Sequence, residues 1–251
     1  MKPSVLDFFV EFTAPLEGTV FSLYADVKNL ITVGIGNLVD ASPAISPWLP
    51  AIGLPFVHPG GALATTTEIT RAWLAVKGDP KSATHGWSYA AMIPGNEIRM
   101  TAAGVAELVR GKLRANDASL LGRYPDWESY PADAQLAIHS LAWACGPAYR
   151  FPALDAALKA REFDECAVHI KMNTAGNPGL VPRNANNRTL MMNAMFVESL
   201  GLDAEELYFP RVLTANDAST YGHESPVYSE PTSADRPTTW PKPEPPPDEA
   251  A

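Results

Sequence analysis

The feature that most constrains the fold is a change of hydrophobic period at Gly18. Residues 3–16 carry apolar side chains at the spacing of one helix face: Val5, Phe8, Phe9, Phe12 and Leu16. Gly18 then follows Glu17 as a helix stop. Residues 19–40 instead contain two runs of β-branched and aromatic residues, separated by the polar turn sequence ADVKN. The sequence therefore predicts a helix that leads directly into a β-hairpin.

Helix-start signals recur through the rest of the chain. Thr65 and Glu68 fit a capping box, in which a hydroxyl and a carboxylate satisfy free backbone N–H groups. Thr101 is a second candidate N-cap. Pro131 opens a third helix, whose dense apolar sequence ends at Gly146. Because this third helix has a dense apolar content, we expect it to form the centre of the core.

The remaining pattern is also mainly helical. Further helices are predicted at residues 151–160, 162–172 and 185–200, whereas 41–64 and 79–98 are predicted loops. Apolar residues make up 46% of the 251 residues, which is enough for a substantial core. The sequence thus predicts an α+β fold that is mostly α, with one small hairpin among many helices.

The last part of the chain differs in composition. Residues 204–251 hold nine of the 24 prolines, together with nine acidic and three basic residues. Hydrophobic periodicity is lost from residue 211, so we interpret 211–251 as a disordered or extended tail. Residues 1–203 then carry a net charge of only −3 out of the total of −9. Such a balance argues against the basic surface of a nucleic-acid-binding protein.

Signals for membrane insertion, export and metal binding are absent from the sequence. No apolar stretch reaches the roughly 18 residues of a transmembrane helix. Asp7 and Glu11 interrupt the N-terminal apolar run, so no signal peptide is predicted. Cys145 and Cys166 lie in apolar, helix-like surroundings and are predicted to be buried free thiols. The histidines lack metal-ligand spacing, so neither a metal nor a cofactor is predicted.

The predicted hairpin carries Glu17, Asp26 and Thr32 in an order that suits glycoside hydrolysis. An inverting glycosidase needs one carboxylic acid to protonate the leaving oxygen. A second carboxylate activates a water on the opposite face of the sugar. Glu17 would end a helix, where the negative end of the helix dipole disfavours its ionised form, as a general acid requires. Asp26, in a polar turn, suits the base, and the Thr32 hydroxyl can hold the water.

This segment resembles the catalytic hairpin of the phage-type lysozymes, glycoside hydrolase family twenty-four. The family pattern is Glu, eight residues, Asp, five residues, Thr and then Gly-x-Gly. Eight positions in a stretch of 22 residues match it: Glu17, Gly18, Tyr24, Asp26, Thr32, Gly34, Gly36 and Leu38. Looser similarity extends over residues 3–200. The family usually has histidine after the second glycine, where this chain has Asn37.

The resemblance implies a lysozyme-like fold in residues 1–210. A small hairpin lobe, at about 18–64, would face a larger helical lobe at 65–210. The N-terminal helix would complete the helical lobe, and the substrate cleft would lie between the two lobes.

The resemblance also implies a muramidase. Such an enzyme hydrolyses the β-1,4 bond between N-acetylmuramic acid and N-acetylglucosamine in peptidoglycan. Glu17 would be the general acid and Asp26 the general base, with Thr32 positioning the water. The expected substrate-binding residues are Gly34, Gly36, Asn37, Trp87 and Tyr89. The two aromatic residues could equally pack their loop. The arginine that pairs with the acid maps onto either Arg183 or Arg188, and such a pair favours the ionised form of the acid and opposes the effect of the helix end.

Two other functions fit the sequence. A catalytically silent glycan-binding or structural protein could keep the fold, although it would not need all three of Glu17, Asp26 and Thr32. A lytic transglycosylase needs the acid, but it has no use for a carboxylate and a hydroxyl that hold water.

The expected partners are peptidoglycan glycan strands, together with an immunity or delivery protein, and the chain is expected to be monomeric. It would be made in the cytoplasm and act on the cell wall, in the periplasm, after release or delivery. A phage endolysin, a virion enzyme and a delivered antibacterial effector all fit this expectation.

Overall fold

The computed structural model describes residues 1–40 and 54–219. Within them the chain is mostly helical, with two small antiparallel sheets. The helices are α1 Pro3–Glu17, α2 Thr66–Gly78, α3 Ser82–Ala90, α4 Ala102–Arg123, α5 Ala132–Cys145, α6 Pro152–Ala160, α7 Phe163–His169 and α8 Leu180–Leu200. The strands are β1 Val20–Ala25, β2 Ile31–Gly34, β3 Asn37–Asp40, β4 Phe56–Val57 and β5 Arg99–Met100. No helix in these two ranges is long and apolar enough to cross a membrane.

The predicted hairpin is part of a three-stranded antiparallel sheet in the order β1-β2-β3. Thr32 in β2 lies opposite Tyr24 in β1 and Leu38 in β3. The glycine pair makes the second turn possible, because Gly34 and Gly36 have φ values of 68° and 65°. Only glycine adopts this left-handed region without strain. The sequence prediction of one hairpin therefore missed the third strand, which begins directly after the glycines.

Helix α5 forms the centre of the core, as predicted. Every residue from Ala132 to Trp143 is buried, including the polar Asp133, Gln135, His139 and Ser140. Helices α1, α4 and α8 pack around it. The ring of Phe9 in α1 lies 5.2 Å from that of Trp143, so the first helix of the chain is anchored to the central one.

The three helix starts predicted at Thr65, Thr101 and Pro131 are confirmed to within one residue. Thr65 and Glu68 form both hydrogen bonds of a capping box at the start of α2. The Thr101 hydroxyl accepts the N–H of Gly104, 3.0 Å away, at the start of α4. Pro131 lies at the N-cap position, immediately before α5.

The proposed division into lobes at residue 64 or 65 does not match the packing. Helices α2 and α3 lie against the first sheet rather than among α5–α8. The buried Asp40 at the end of β3 binds two α2 side chains, the Trp73 indole at 3.2 Å and the Lys77 ammonium at 3.1 Å. Part of the predicted loop at 41–64, namely 41–53, lies outside the described residues.

Three further predictions need correction. Residues 79–98 are not only loop, because they contain α3, which is interrupted at Gly86 by a φ of 74°. Helix α8 begins at Leu180, five residues before the predicted start at 185. Cys166 is a buried free thiol as predicted, but Cys145 is exposed near the end of α5, beside Gly146.

The fold also continues beyond residue 210, where a tail was predicted to begin. Leu213 is 1% exposed, and its N–H donates to the side-chain oxygen of Asn193 in α8 at 2.9 Å. Arg211 pairs with Asp217, which also accepts the N–H of Thr214. Apolar burial and side-chain hydrogen bonds therefore hold this segment against α8. Residues 220–251 of the predicted tail lie outside the described part of the chain.

Candidate active site

Glu17 is the last residue of α1. Gly18, with a φ of 76°, turns the chain from this helix into β1. The Glu17 side chain is 30% exposed, so its carboxylate is open to a ligand on one side. A Cβ atom at Gly36 would lie only 3.6 Å from Oε2 of Glu17. The turn between β2 and β3 therefore passes close to the carboxylate, and the lack of a side chain at Gly36 keeps that approach open.

Arg183 is the arginine that holds Glu17. Its side chain is 2% exposed, and its Nη2 donates to Oε1 of Glu17 at 2.5 Å. Nη1 donates to both the carbonyl oxygen and the hydroxyl of Ser140 in α5, each at 3.2 Å. Burial lowers the pKa of Arg183, whereas the charge of Glu17 raises it. Arg188, the other candidate, is exposed and forms no ion pair with a described residue.

Asp26 and Thr32 meet at the peptide groups of Leu30. The Oδ1 atom of Asp26 accepts the N–H groups of Lys28 and Leu30, at 2.8 and 2.9 Å. The Thr32 hydroxyl donates to the carbonyl oxygen of Leu30 at 3.4 Å, which is long for a hydroxyl hydrogen bond. The turn thus fixes the Asp26 carboxylate through one oxygen. It leaves the Thr32 hydroxyl only weakly engaged.

The charges of both predicted catalytic carboxylates act on the phenol group of Tyr24. Burial raises the pKa of Tyr24 to about 12, and the negative charges of Glu17 and Asp26 add to this shift. Both carboxylates therefore lie within electrostatic range of one phenol group. Tyr24 also lies opposite Thr32 in the sheet.

Two residues near Glu17 carried no signal in the sequence. The ammonium of Lys112 in α4 lies 4.0 Å from the centre of the Trp143 ring. The indole nitrogen of Trp143 would lie 3.9 Å from a Cβ atom at Gly36. Burial lowers the pKa of Lys112, and the charge of Glu17 opposes that effect. Neither residue belongs to a local motif, since tertiary packing of α4 on α5 brings them together.

A groove of about 510 Å³ between β3 and α4 is lined by Lys112, Glu107, Asn37 and apolar residues. Asn37 is 1% exposed, and its Oδ1 accepts the N–H of Ile35 at 3.2 Å. Its Nδ2 has no hydrogen-bond partner among the described residues. Asn37 therefore supports the β2–β3 turn and also forms part of the groove wall.

The other predicted substrate-binding residues lie elsewhere. A Cβ at Gly34 would be 3.2 Å from Val105, so Gly34 permits packing against α4 rather than ligand binding. Trp87 is 54% exposed and lines a separate groove of about 490 Å³ beside β1. Tyr89 donates to Asp79 at 3.0 Å, which holds α3 to the end of α2. Of the five predicted substrate contacts, only Gly36 and Asn37 lie close to the Glu17 region.

The described residues contain no group of three or more side chains that could hold a metal ion. Comparison of the chain with protein-family models and with curated proteins finds no match in either set. The chemistry of this site therefore has to be inferred from the residues around Glu17.

Proposed function

We propose that the protein is a muramidase, which hydrolyses the β-1,4 bond between N-acetylmuramic acid and N-acetylglucosamine in peptidoglycan. The observation that carries the proposal is the position of Glu17, which is held by the buried Arg183 and open to solvent beside Gly36. A mostly helical chain with a small antiparallel sheet at this site is compatible with a lysozyme-like α+β fold.

In the proposed reaction, Glu17 donates a proton to the glycosidic oxygen as the bond to the sugar carbon breaks. The Arg183 guanidinium donates to Oε1 of Glu17, so it orients the carboxyl group and leaves Oε2 on the side of Gly36. After one turnover, Glu17 has lost its proton to the leaving hydroxyl and recovers it from solvent.

Asp26 is the proposed general base. Its Oδ1 is occupied by two backbone N–H groups, so Oδ2 is the oxygen that would accept a proton from the attacking water. The weakly engaged hydroxyl of Thr32 is suited to orient that water, because a hydroxyl both donates and accepts hydrogen bonds. The water adds to the sugar carbon and supplies the new hydroxyl group.

This arrangement favours hydrolysis over the two rival functions. A silent glycan-binding protein has no chemical need for Glu17, Asp26 and Thr32 together. A lytic transglycosylase uses the sugar's own hydroxyl as nucleophile, so it has no role for Asp26 and Thr32. The substrate lies in the cell wall, so the enzyme would act there after release or delivery.

The test is digestion of purified sacculi followed by mass spectrometry of the released fragments. A muramidase releases fragments with free reducing N-acetylmuramic acid ends. A transglycosylase instead releases anhydro-muramic ends, which are lighter by one water. Absence of both kinds of fragment, from a protein that is folded by circular dichroism, would overturn the proposal.

A further inference from the structure

Lys112 is a cation that lies between the groove and the region around Glu17. It lines the groove between β3 and α4. Its ammonium also lies over the ring of Trp143, whose indole nitrogen is beside Gly36, and Gly36 in turn approaches Oε2 of Glu17. A substituent of a sugar bound at Glu17 would therefore meet Lys112 as it enters the groove.

The ammonium of Lys112 has no hydrogen-bonded partner within residues 1–40 and 54–219. It lies over the face of the Trp143 ring, 4.0 Å from the centroid. The carboxylate of Glu17 is paired with Arg183 instead. An ammonium has three donors, and a ring face leaves them free for oxygen atoms. A half-buried cation with unused donors favours an anionic ligand.

The rest of the groove fits a short substituent that ends in a negative charge. Leu38 and Leu108 provide apolar lining in the same groove, and Leu38 is 46% exposed. The buried amide nitrogen of Asn37 adds a second group with positive partial charge at the wall. Glu107 is the one acid among the lining residues, and it is close to Arg110 and Arg114, at 3.9 and 3.4 Å.

We propose that Lys112 recognises a carboxylate on the glycan, and so determines which strands the enzyme accepts. This inference rests on the proposed muramidase function. The carboxylate has two possible sources, which share the same chemistry. It is either the lactyl group of a muramic acid without a peptide, or an acidic residue of the attached peptide.

The experiment measures binding rather than cleavage, and uses the full chain with Glu17→Gln. Glutamine mimics the neutral acid and leaves the glycan intact. Isothermal titration would compare peptide-free strands with the same strands after conversion of their carboxylates to methyl amides. A second pair of ligands would carry the peptide, with free or amidated carboxylates. We expect the carboxylate form to bind about tenfold more tightly in at least one pair, which corresponds to about 1.4 kcal/mol.

The preference should disappear in Glu17→Gln/Lys112→Met and Glu17→Gln/Lys112→Gln. It should persist in Glu17→Gln/Lys112→Arg, which keeps the charge, and in the groove control Glu17→Gln/Glu107→Gln. The pair of ligands that shows the preference identifies the source of the carboxylate. A preference that survives in a folded Lys112→Met or Lys112→Gln variant, or no preference in either pair, would overturn the proposal.

Hydrolysis by the unmodified protein is measured separately on the same strands. Cleavage without a Lys112-dependent preference would reject only the role of Lys112. A Lys112-dependent preference without cleavage would reject the muramidase and keep the binding site.

Discussion

The guanidinium of Arg183 lies 2.5 Å from the carboxylate of Glu17, although the two residues are 166 positions apart in the chain. Their contact joins the last turn of α1 to the first turn of α8, and Ser140 of α5 fixes the arginine from the other side. The carboxylate is thus oriented from within the core and open only toward solvent. Both α1 and α8 must therefore be folded before the Glu17 carboxylate is held in this orientation.

The first prediction concerns Glu17→Gln. Removal of the general acid should lower the hydrolysis rate by about two to four orders of magnitude. Glutamine can still accept the hydrogen bond of Arg183 through its amide oxygen, so the fold should remain intact. Glu11→Gln changes an exposed carboxylate on the same helix and is the matched control. Release of reducing ends is the measurement, and a Glu17→Gln variant as active as Glu11→Gln would contradict the assignment.

The second prediction is an asymmetry in stability between the partners of this ion pair. Glu17→Leu leaves a cation that is 2% exposed without a counter-charge, which should cost about 3–5 kcal/mol. Arg183→Met leaves a carboxylate that is 30% exposed and can be hydrated, so its cost should be nearer 1–3 kcal/mol. Urea denaturation measures both free energies of unfolding. If Arg183→Met lowers the free energy of unfolding as much as Glu17→Leu does, or more, then the unpaired guanidinium is not the more costly of the two groups.

Local signals made much of this fold predictable. The capping residues Thr65 and Thr101 mark real helix starts, since each satisfies a backbone N–H within its own first turn. Helix α3 was missed because its start has no side-chain cap and Gly86 interrupts it. Packing of α3 against β1 stabilises it instead, and such packing leaves no local trace in the sequence.

The residues of the site likewise fall into those that local sequence signals indicate and those that only tertiary packing brings together. Glu17, Asp26 and Thr32 could be selected because they lie on one short segment with fixed spacing. The choice between Arg183 and Arg188 could not be made, because it depends on which face of α8 packs against α5. Lys112 could not be found either, since its ring contact with another helix is purely tertiary.

The third prediction corrects the boundary of the tail. A chain that ends at residue 219 should keep its melting temperature, whereas one that ends at 210 should not. The shorter chain loses the buried Leu213 and leaves the amide of Asn193 without the backbone partners that it has at Arg211 and Leu213. Together these losses should cost about 3 kcal/mol. Differential scanning calorimetry of the two truncated chains would decide, and equal melting temperatures would restore the boundary at 210.

The fourth prediction concerns pH and Asp133, a buried acid in α5. Burial raises the pKa of Asp133 to about 6, although N–H groups of Asn193, Tyr208 and Phe209 donate to it. An unfolded aspartate titrates near pH 4, so between about pH 4 and 6 the folded state binds more protons. Stability from this group should therefore fall as pH rises through that range.

Asp133→Asn should remove this pH dependence. The wild-type chain should lose stability relative to Asp133→Asn between pH 4 and about 6, and the difference should then stay constant. Asp126→Asn, at an exposed position, is the control. The measurement is urea denaturation at several pH values. A stability difference that does not change with pH would mean that Asp133 is already ionised throughout.

The last prediction concerns the stereochemistry of the reaction. The carboxylate of Asp26 accepts the N–H of Leu30, and the Thr32 hydroxyl makes a long contact with the carbonyl oxygen of the same residue, so both groups belong to one turn. Glu17 is placed by a different element, the end of α1. We expect this separate placement to leave room for a water between the sugar and Asp26, as in inverting enzymes, which hold their two carboxyl groups roughly 6.5–9.5 Å apart for this purpose.

Hydrolysis should therefore proceed in one step and release the α-anomer from the β-linked substrate. Asp26→Asn and Thr32→Val should each lower kcat more than they raise KM, because the water is needed for the transition state and not for binding. Thr32→Ser, which keeps the hydroxyl, should retain more activity than Thr32→Val. Proton NMR of the fresh product provides the decisive measurement. An initial β-anomer, or a sugar covalently trapped on Asp26, would make Asp26 the nucleophile and remove the role of Thr32 in holding water.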